Sequence, residues 1–184
     1  MIEIVNIDKD SFGHWLSGFV DGEGCFGIYC YSNKRTNEFN PGALSFEFSI
    51  QLREDDRDIL EEIQRYFNCG HLAVGSRRKA RAEGKVNARD QIKFSCKKLS
   101  EILGAIIPHF DEYPLRAKKR GDFEIWKRAV LLQVESARIR GDNNKRICDY
   151  PECVAIREQV FALAKELRST RNPGLQRSTN SLIN

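Results

Sequence analysis

The chain has 184 residues, 41% hydrophobic and 30% charged, with a formal net charge of +4; it is long enough to bury a true core, and its balance is that of a globular rather than a disordered protein. No apolar run approaches the ~18 residues needed to cross a bilayer, and the acidic start MIEIVNIDKD lacks the basic region of a secretory signal, so the expected setting is intracellular, a bacterial cytoplasm or an organelle matrix. The six cysteines, at 25, 30, 69, 96, 148 and 153, include no CxxC pair; they read as reduced thiols and their spacing gives no zinc signature.

The first predicted element is a helix with Ser11 as its N-cap and Phe12, Trp15, Leu16 and Phe19 at helical spacing, stopping at Gly22 and Gly24. CFGIYCY then alternates, with Phe26, Ile28 and Cys30 on one face and Gly27, Tyr29 and Tyr31 on the other. After a loop over 32–42 comes the clearest strand: Leu44, Phe46, Phe48, Ile50 and Leu52 point one way, and Ser45, Glu47, Ser49, Gln51 and Arg53 the other. DDRDILEEIQRYF is helical, with Ile59, Leu60, Ile63, Tyr66 and Phe67 as its stripe and acids at its N-terminus. The pattern recurs in GHLAVGS and NARDQIKFSC, where Ile92, Phe94 and Cys96 face inward and Arg89, Gln91, Lys93 and Ser95 outward. A helix with Leu99, Ile102, Leu103 and Ile106 follows, closed by Pro108. Two further helices run through Phe123, Trp126, Ala129 and Val130, and through Val160, Leu163, Ala164 and Leu167, before a polar tail. The fold class is α+β: an α-β-β-α-β-β-α core with a four-stranded antiparallel sheet, helices on one face, and extra C-terminal helices. One domain is expected over 1–168, with its core at about 11–135, C-terminal helices at about 121–168 and a basic tail at 169–184.

The charge is unevenly placed. Residues 1–70 hold six Lys/Arg against thirteen Asp/Glu, whereas 76–98 alone carry nine basic and two acidic side chains. A basic loop beside an open sheet face of Arg, Lys, Gln, Ser and Tyr suits a polyanion, because such groups reach phosphates and base edges. The candidate nucleic-acid contacts are Tyr29, Tyr31, Lys34, Arg35, Ser45, Glu47, Ser49, Gln51, Arg53, Arg77, Arg78, Lys79, Arg81, Arg89, Gln91 and Lys93.

LSGFVDGEG, residues 16–24, resembles the LAGLIDADG motif of homing endonucleases: Leu16, Gly18, Asp21 and Gly24 match letter for letter. FSIQLREDD, LEEIQRYF and PHFDEYPLRAKKRGDFEIW also look like phrases of that family, and the likeness spans roughly residues 12–135. Gly18 and Gly22 lie one helical turn apart, and small residues on one helix face allow two backbones to approach closely. The chain has one copy of the motif, and the resemblance implies a homodimer with Ser17, Gly18, Asp21 and Gly22 at its interface and a near-palindromic DNA site of ~10 bp per half. It also implies that Glu23, in place of the usual Asp, is the catalytic metal ligand, joined by the Gly22 carbonyl. Gln51 and either Lys118 or Lys119, with Lys119 favoured, would support the chemistry. The implied activity is double-strand DNA hydrolysis, one strand per subunit, with Mg²⁺ as cofactor and Mn²⁺ or Ca²⁺ able to substitute for binding. The other reading on the same scaffold is a binder without cleavage, either an intron-RNA maturase or a DNA-binding regulator. His14 is expected at the surface or interface, His71 and His109 alone at element boundaries, Cys25 in small packing, and Trp15 and Trp126 in the core.

Overall fold

The computed structural model describes residues 8–30, 44–75, 90–141 and 150–171. Helix α1 (Lys9–Glu23) leads into strand β1 (Gly24–Cys30), followed by β2 (Leu44–Arg53) and, after a 3-10 turn, α2 (Arg57–Phe67). Strands β3 (His71–Gly75) and β4 (Gln91–Cys96) precede a composite helix α3, built of Leu99–Glu101, a π-helical turn Ile102–Ile106 and Ile107–Glu112. Helices α4 (Lys119–Arg140) and α5 (Pro151–Arg171) complete the described chain. The expected α-β-β-α-β-β-α order and the four-stranded antiparallel sheet are both present, with strand order β1-β2-β4-β3. Tyr31, Lys34, Arg35, Arg77, Arg78, Lys79, Arg81 and Arg89 lie outside the described residues, as do the loops expected around them and the part of the expected tail beyond Arg171.

The chain divides into two compact units, one of Met1–Cys25 with Glu47–Arg120 and one of Phe26–Phe46 with Gly121–Asn184. In the first, Phe48, Ile50, Ile92 and Phe94 present the apolar side of the sheet, and all four are fully buried. Leu60, Ile63 and Phe67 of α2 are buried as well, and the Phe67 ring meets those of Phe48 and Phe94 at 6.0 and 6.2 Å. The β2–β4 register sets Ile50 opposite Phe94 and Leu52 opposite Ile92, so the period-two reading of both strands holds on their apolar side. In the second unit, Phe26 packs on Phe123 and Trp126 of α4, and the Trp126 indole N–H donates to the Gly27 carbonyl at 3.1 Å. Val160, Leu163, Ala164 and Leu167 are buried along α5, as their spacing predicts.

Several local expectations need correction. Helix α1 starts earlier than Ser11: Asp8 is its N-cap, and the Ser11 hydroxyl donates to the Asp8 carboxylate, holding it below its ordinary pKa. The helix also runs through Gly22 to Glu23 and turns only at Gly24, whose N–H still bonds the Val20 carbonyl. A side chain at Gly24 would collide with Val20, so the glycine there serves close approach. Pro108 does not close its helix. The π turn moves the Ile107 N–H onto the Ile102 carbonyl, and the chain absorbs a proline without an N–H by one wide turn instead of a break. Helix α5 runs on to Arg171, because the Arg171 guanidinium and the Thr170 hydroxyl both donate to Asp122 of α4, at 3.2 and 2.9 Å. Trp126 is fully buried, but Trp15 is 42% exposed, stacked on Phe19 with ring centroids 5.1 Å apart. No described helix is long and apolar enough to cross a membrane.

Candidate active site and nucleic-acid interface

Helix α1 has two different faces. Asp10, Gly13, Ser17 and Asp21 recur at spacings of three and four, which aligns them along one side. That side is joined to residues 113–117. Tyr113 lays its ring across Gly13 and donates its hydroxyl to Asp10 at 2.7 Å. The Ser17 hydroxyl donates to the Tyr113 carbonyl at 2.5 Å. Asp21 Oδ2 accepts the N–H groups of Arg116 and Ala117 at 2.8 and 3.1 Å. These bonds draw PLRAKKR onto the end of the motif helix, although some 95 residues separate them in sequence.

The other face carries Trp15, Gly18, Phe19 and Gly22. A methyl group added at Gly18 or Gly22 would meet nothing within 4 Å. Ser17 is therefore a correction to the expected interface set: it is 4% exposed, and its hydroxyl is committed inside the subunit. Asp21 is half-buried; its Oδ1 is buried with no hydrogen-bond partner among the described residues. It lines a pocket of about 300 Å³ with His14, Ser17, Gly18, Pro114 and Arg116.

At the C-terminal end of α1, Gly22 and Glu23 are both exposed. The last carbonyls of a helix have no partner within it and carry the negative end of the helix dipole, so they attract cations. Lys119 answers this directly: its Nζ donates to the Gly22 carbonyl at 3.3 Å. Lys118 is exposed and makes no hydrogen bond to this edge among the described residues. Of the two lysines, Lys119 is the one that meets the motif. The carboxylate of Glu23 and the carbonyl of Gly22 are hard oxygen donors on successive residues, a donor set that fits Mg²⁺ rather than a thiophilic ion.

The polar side of the sheet is assembled by register. Ser49 lies opposite Ser95 and Ser95 opposite His71; Gln51 opposite Lys93 and Lys93 opposite Ala73; Arg53 opposite Gln91. Its accessibility is graded. Gln51 and Arg53 are exposed, and Gln91 and Lys93 are half-exposed; in the second unit, taken by itself, Tyr29 is exposed and Ser45 half-exposed. The Gln51 amide donates to Gln91 Oε1 at 2.7 Å, and Arg53 pairs with Asp55. Glu47, Ser49 and Ser95, expected in the open, are 3–5% exposed. Glu47 accepts Lys93 at 2.8 Å and Lys97 at 3.5 Å, a charge made tolerable by two ammonium groups rather than by water. Glu47 and Ser49 are thereby removed from the contact set. His71, which its sequence position leaves alone, shares the polar row, with Nε2 3.1 Å from the Ser95 hydroxyl. Only the pairing of β3 with β4 discloses it.

A family model described as LAGLIDADG endonuclease matches residues 16–130, more than half the chain. The chain belongs to the LAGLIDADG endonuclease family. It is 32% identical over 138 residues to "Probable intron-encoded endonuclease 2" of Neurospora crassa, covering 74% of this chain and 27% of that protein. It is 34% identical over 124 residues to "Probable intron-encoded endonuclease Cox1-I1b" of Schizosaccharomyces pombe, covering 67% of this chain and 28% of that one. The chain thus spans little more than a quarter of the curated relatives' length. Among solved structures it resembles the meganuclease I-SmaMI bound to uncleaveable DNA (TM-score 0.62, 22% identity, 83% of this chain and 43% of that one). It also resembles the LAGLIDADG homing endonuclease I-GzeII in complex with its DNA target (TM-score 0.62, 23% identity, the same shares). At these identities the likeness is one of fold.

Proposed function

We propose that this LAGLIDADG family member is a site-specific double-strand DNA endonuclease, acting as a homodimer on a near-palindromic site with one strand cut per subunit. The observation that carries the reading is the edge at the end of the motif helix, where the exposed acid Glu23 adjoins the Gly22 carbonyl and the Lys119 ammonium donates to that carbonyl. Mg²⁺, when bound, would supply stabilisation of the charge that develops on the phosphodiester. Glu23 and the Gly22 carbonyl would hold it. Lys119 would neutralise a phosphate oxygen and orient the attacking water, and Gln51, exposed on the same polar sheet side as Arg53, would assist in positioning the backbone.

The pairing of subunits is supported by the face that α1 leaves open: Trp15 is exposed, and Gly18 and Gly22 have free space beside them among the described residues. A second copy of the helix would cover all three. Tyr29, Ser45, Gln51, Arg53, Gln91 and Lys93, with the basic segment at 76–89, would contact the duplex.

The test is Glu23→Gln, which keeps size and polarity but removes the charge. The variant is expected to bind duplex DNA with wild-type affinity in a gel-shift titration and to lose Mg²⁺-dependent cleavage by about a hundredfold or more. Undiminished cleavage would remove Glu23 from the reaction. Binding without cleavage in the wild-type chain, over any divalent ion, would favour the maturase or regulator reading instead.

A further inference from the structure

Away from the motif edge, three metal-competent side chains from separate elements of the first unit converge. Cys69 follows α2, Cys96 ends β4, and Glu101 lies in the first turn of α3. The two sulfurs are 4.0 Å apart, Cys96 Sγ is 3.6 Å from Glu101 Oε2, and all three ligand atoms lie within 4.8 Å of one another. Both cysteines are free thiols.

The cluster is held by a constrained turn. Asn68 closes α2 with φ of 49°, and Gly70 follows at φ of 75°. Only glycine fits at 70: a side chain there would strike the Phe94 ring at 2.7 Å and the Ser95 carbonyl at 3.0 Å, besides the strain of its backbone. The Gln64 amide donates to the Gly70 carbonyl at 3.0 Å, and the Gly70 N–H donates to Glu101 Oε2 at 3.2 Å. The carboxylate is thus oriented from outside the cluster, as ligating carboxylates are. Cys96 is fully buried and the other two are half-buried, which leaves one side open.

The separations fit one kind of occupant. Tetrahedral zinc binds thiolate sulfur at about 2.3 Å and carboxylate oxygen at about 2.0–2.2 Å, which sets ligand-to-ligand edges of about 3.8 Å between sulfurs and about 3.5 Å from sulfur to oxygen. The observed 4.0 and 3.6 Å match those edges. A disulfide needs a sulfur separation of about 2.05 Å. We propose that Cys69, Cys96 and Glu101 form a binding site for a thiophilic divalent cation, zinc by size and donor type, with its fourth position left to solvent. Binding releases both thiol protons to solvent as the two S–metal bonds form. Burial holds both thiols above their ordinary pKa, so affinity falls as pH is lowered. The ion would join the end of α2 to β4 and α3, independently of Mg²⁺ at the motif.

The full chain, reduced and metal-free, is titrated with Co²⁺ in excess Mg²⁺. The expected result is one equivalent of thiolate-to-cobalt charge-transfer absorption, displaced by one equivalent of Zn²⁺. The band is lost in Cys69→Ser and in Cys96→Ser and kept in Glu23→Gln, and Glu101→Gln weakens affinity about tenfold or more. X-ray absorption on the zinc-loaded wild-type chain, which does not depend on any variant folding, should count two sulfur neighbours. No band while both thiols stay reactive, a band that survives both serine variants, or a Cys69–Cys96 disulfide in protein purified without reductant would each overturn the site.

Discussion

His109 shows how much a single residue can depend on its surroundings. It sits within α3 at 5% exposure, with Nδ1 3.1 Å from the Tyr66 hydroxyl and Nε2 3.4 Å from the Ser17 hydroxyl. Rings of Phe67, Phe110 and Tyr113 surround it. Burial lowers its pKa from 6.5 to about 4, so the folded chain holds it neutral. The unfolded chain takes up a proton as pH falls through 6.5, and the folded chain does so only near 4. Stability is therefore full above pH 6.5 and declines by about 3 kcal/mol on the way down to pH 4. Urea melts of wild type and His109→Gln across that window should show the slope in the first and its flattening in the second. Lys119 acts on a different quantity. Its bond to the Gly22 carbonyl is exposed, so Lys119→Ala should leave the melting temperature unchanged and lower single-turnover cleavage by about ten- to a hundredfold. Equal losses from Lys118→Ala and Lys119→Ala would assign both to plain phosphate contact.

At the scale of elements, α1 performs two tasks with residues one position apart. Ser17 faces inward onto the Tyr113 carbonyl, while Gly18 faces open space. Gly18→Leu should therefore be harmless to the isolated subunit, or stabilise it by up to ~1 kcal/mol through helix propensity. In the proposed dimer the same side chain would hold two helices apart. Sedimentation equilibrium should show the variant shifted to monomer, and cleavage should fall with it. A dimer of unchanged strength would place the subunit contact elsewhere. The composite α3 carries a related lesson: its apolar periodicity was legible, but its passage beyond Pro108 was not, because a π turn is a response to tertiary packing and leaves no mark on residue spacing.

For the whole molecule the leading quantity is charge. The first 70 residues are acidic and the remainder strongly basic, so duplex affinity should fall steeply with salt. The polar sheet residues should contribute unequally. Arg53 pairs with Asp55 where both are about half exposed, an ion pair worth little in water, and it is free to exchange for a phosphate. Lys93 is tied to the buried Glu47 and should not leave it. Arg53→Ala is expected to reduce the slope of log affinity against log salt by about 0.9, and Lys93→Ala by less. Fluorescence anisotropy over a salt series measures both, and a larger change from Lys93→Ala would contradict the assignment.

What the amino-acid order determined by itself was local and periodic. Alternation marked β2 and β4, a 3.6-residue stripe marked α2, α4 and α5, and nine letters at a helix end named the family, since each depends only on near neighbours along the chain. What lay across a gap in sequence was decided by the tertiary structure alone. Alternation assigns Glu47, Ser49 and Ser95 to the polar side, yet that side is closed around them and open at Gln51 and Arg53. Trp15 fits a core stripe by spacing and stands exposed, because no described segment covers that face of α1. Asp21 meets Arg116, and Cys69 meets Cys96 and Glu101, only because the path of the chain returns them to one place. A periodic pattern states which side of an element a residue occupies; only the packed chain supplies what waits on that side.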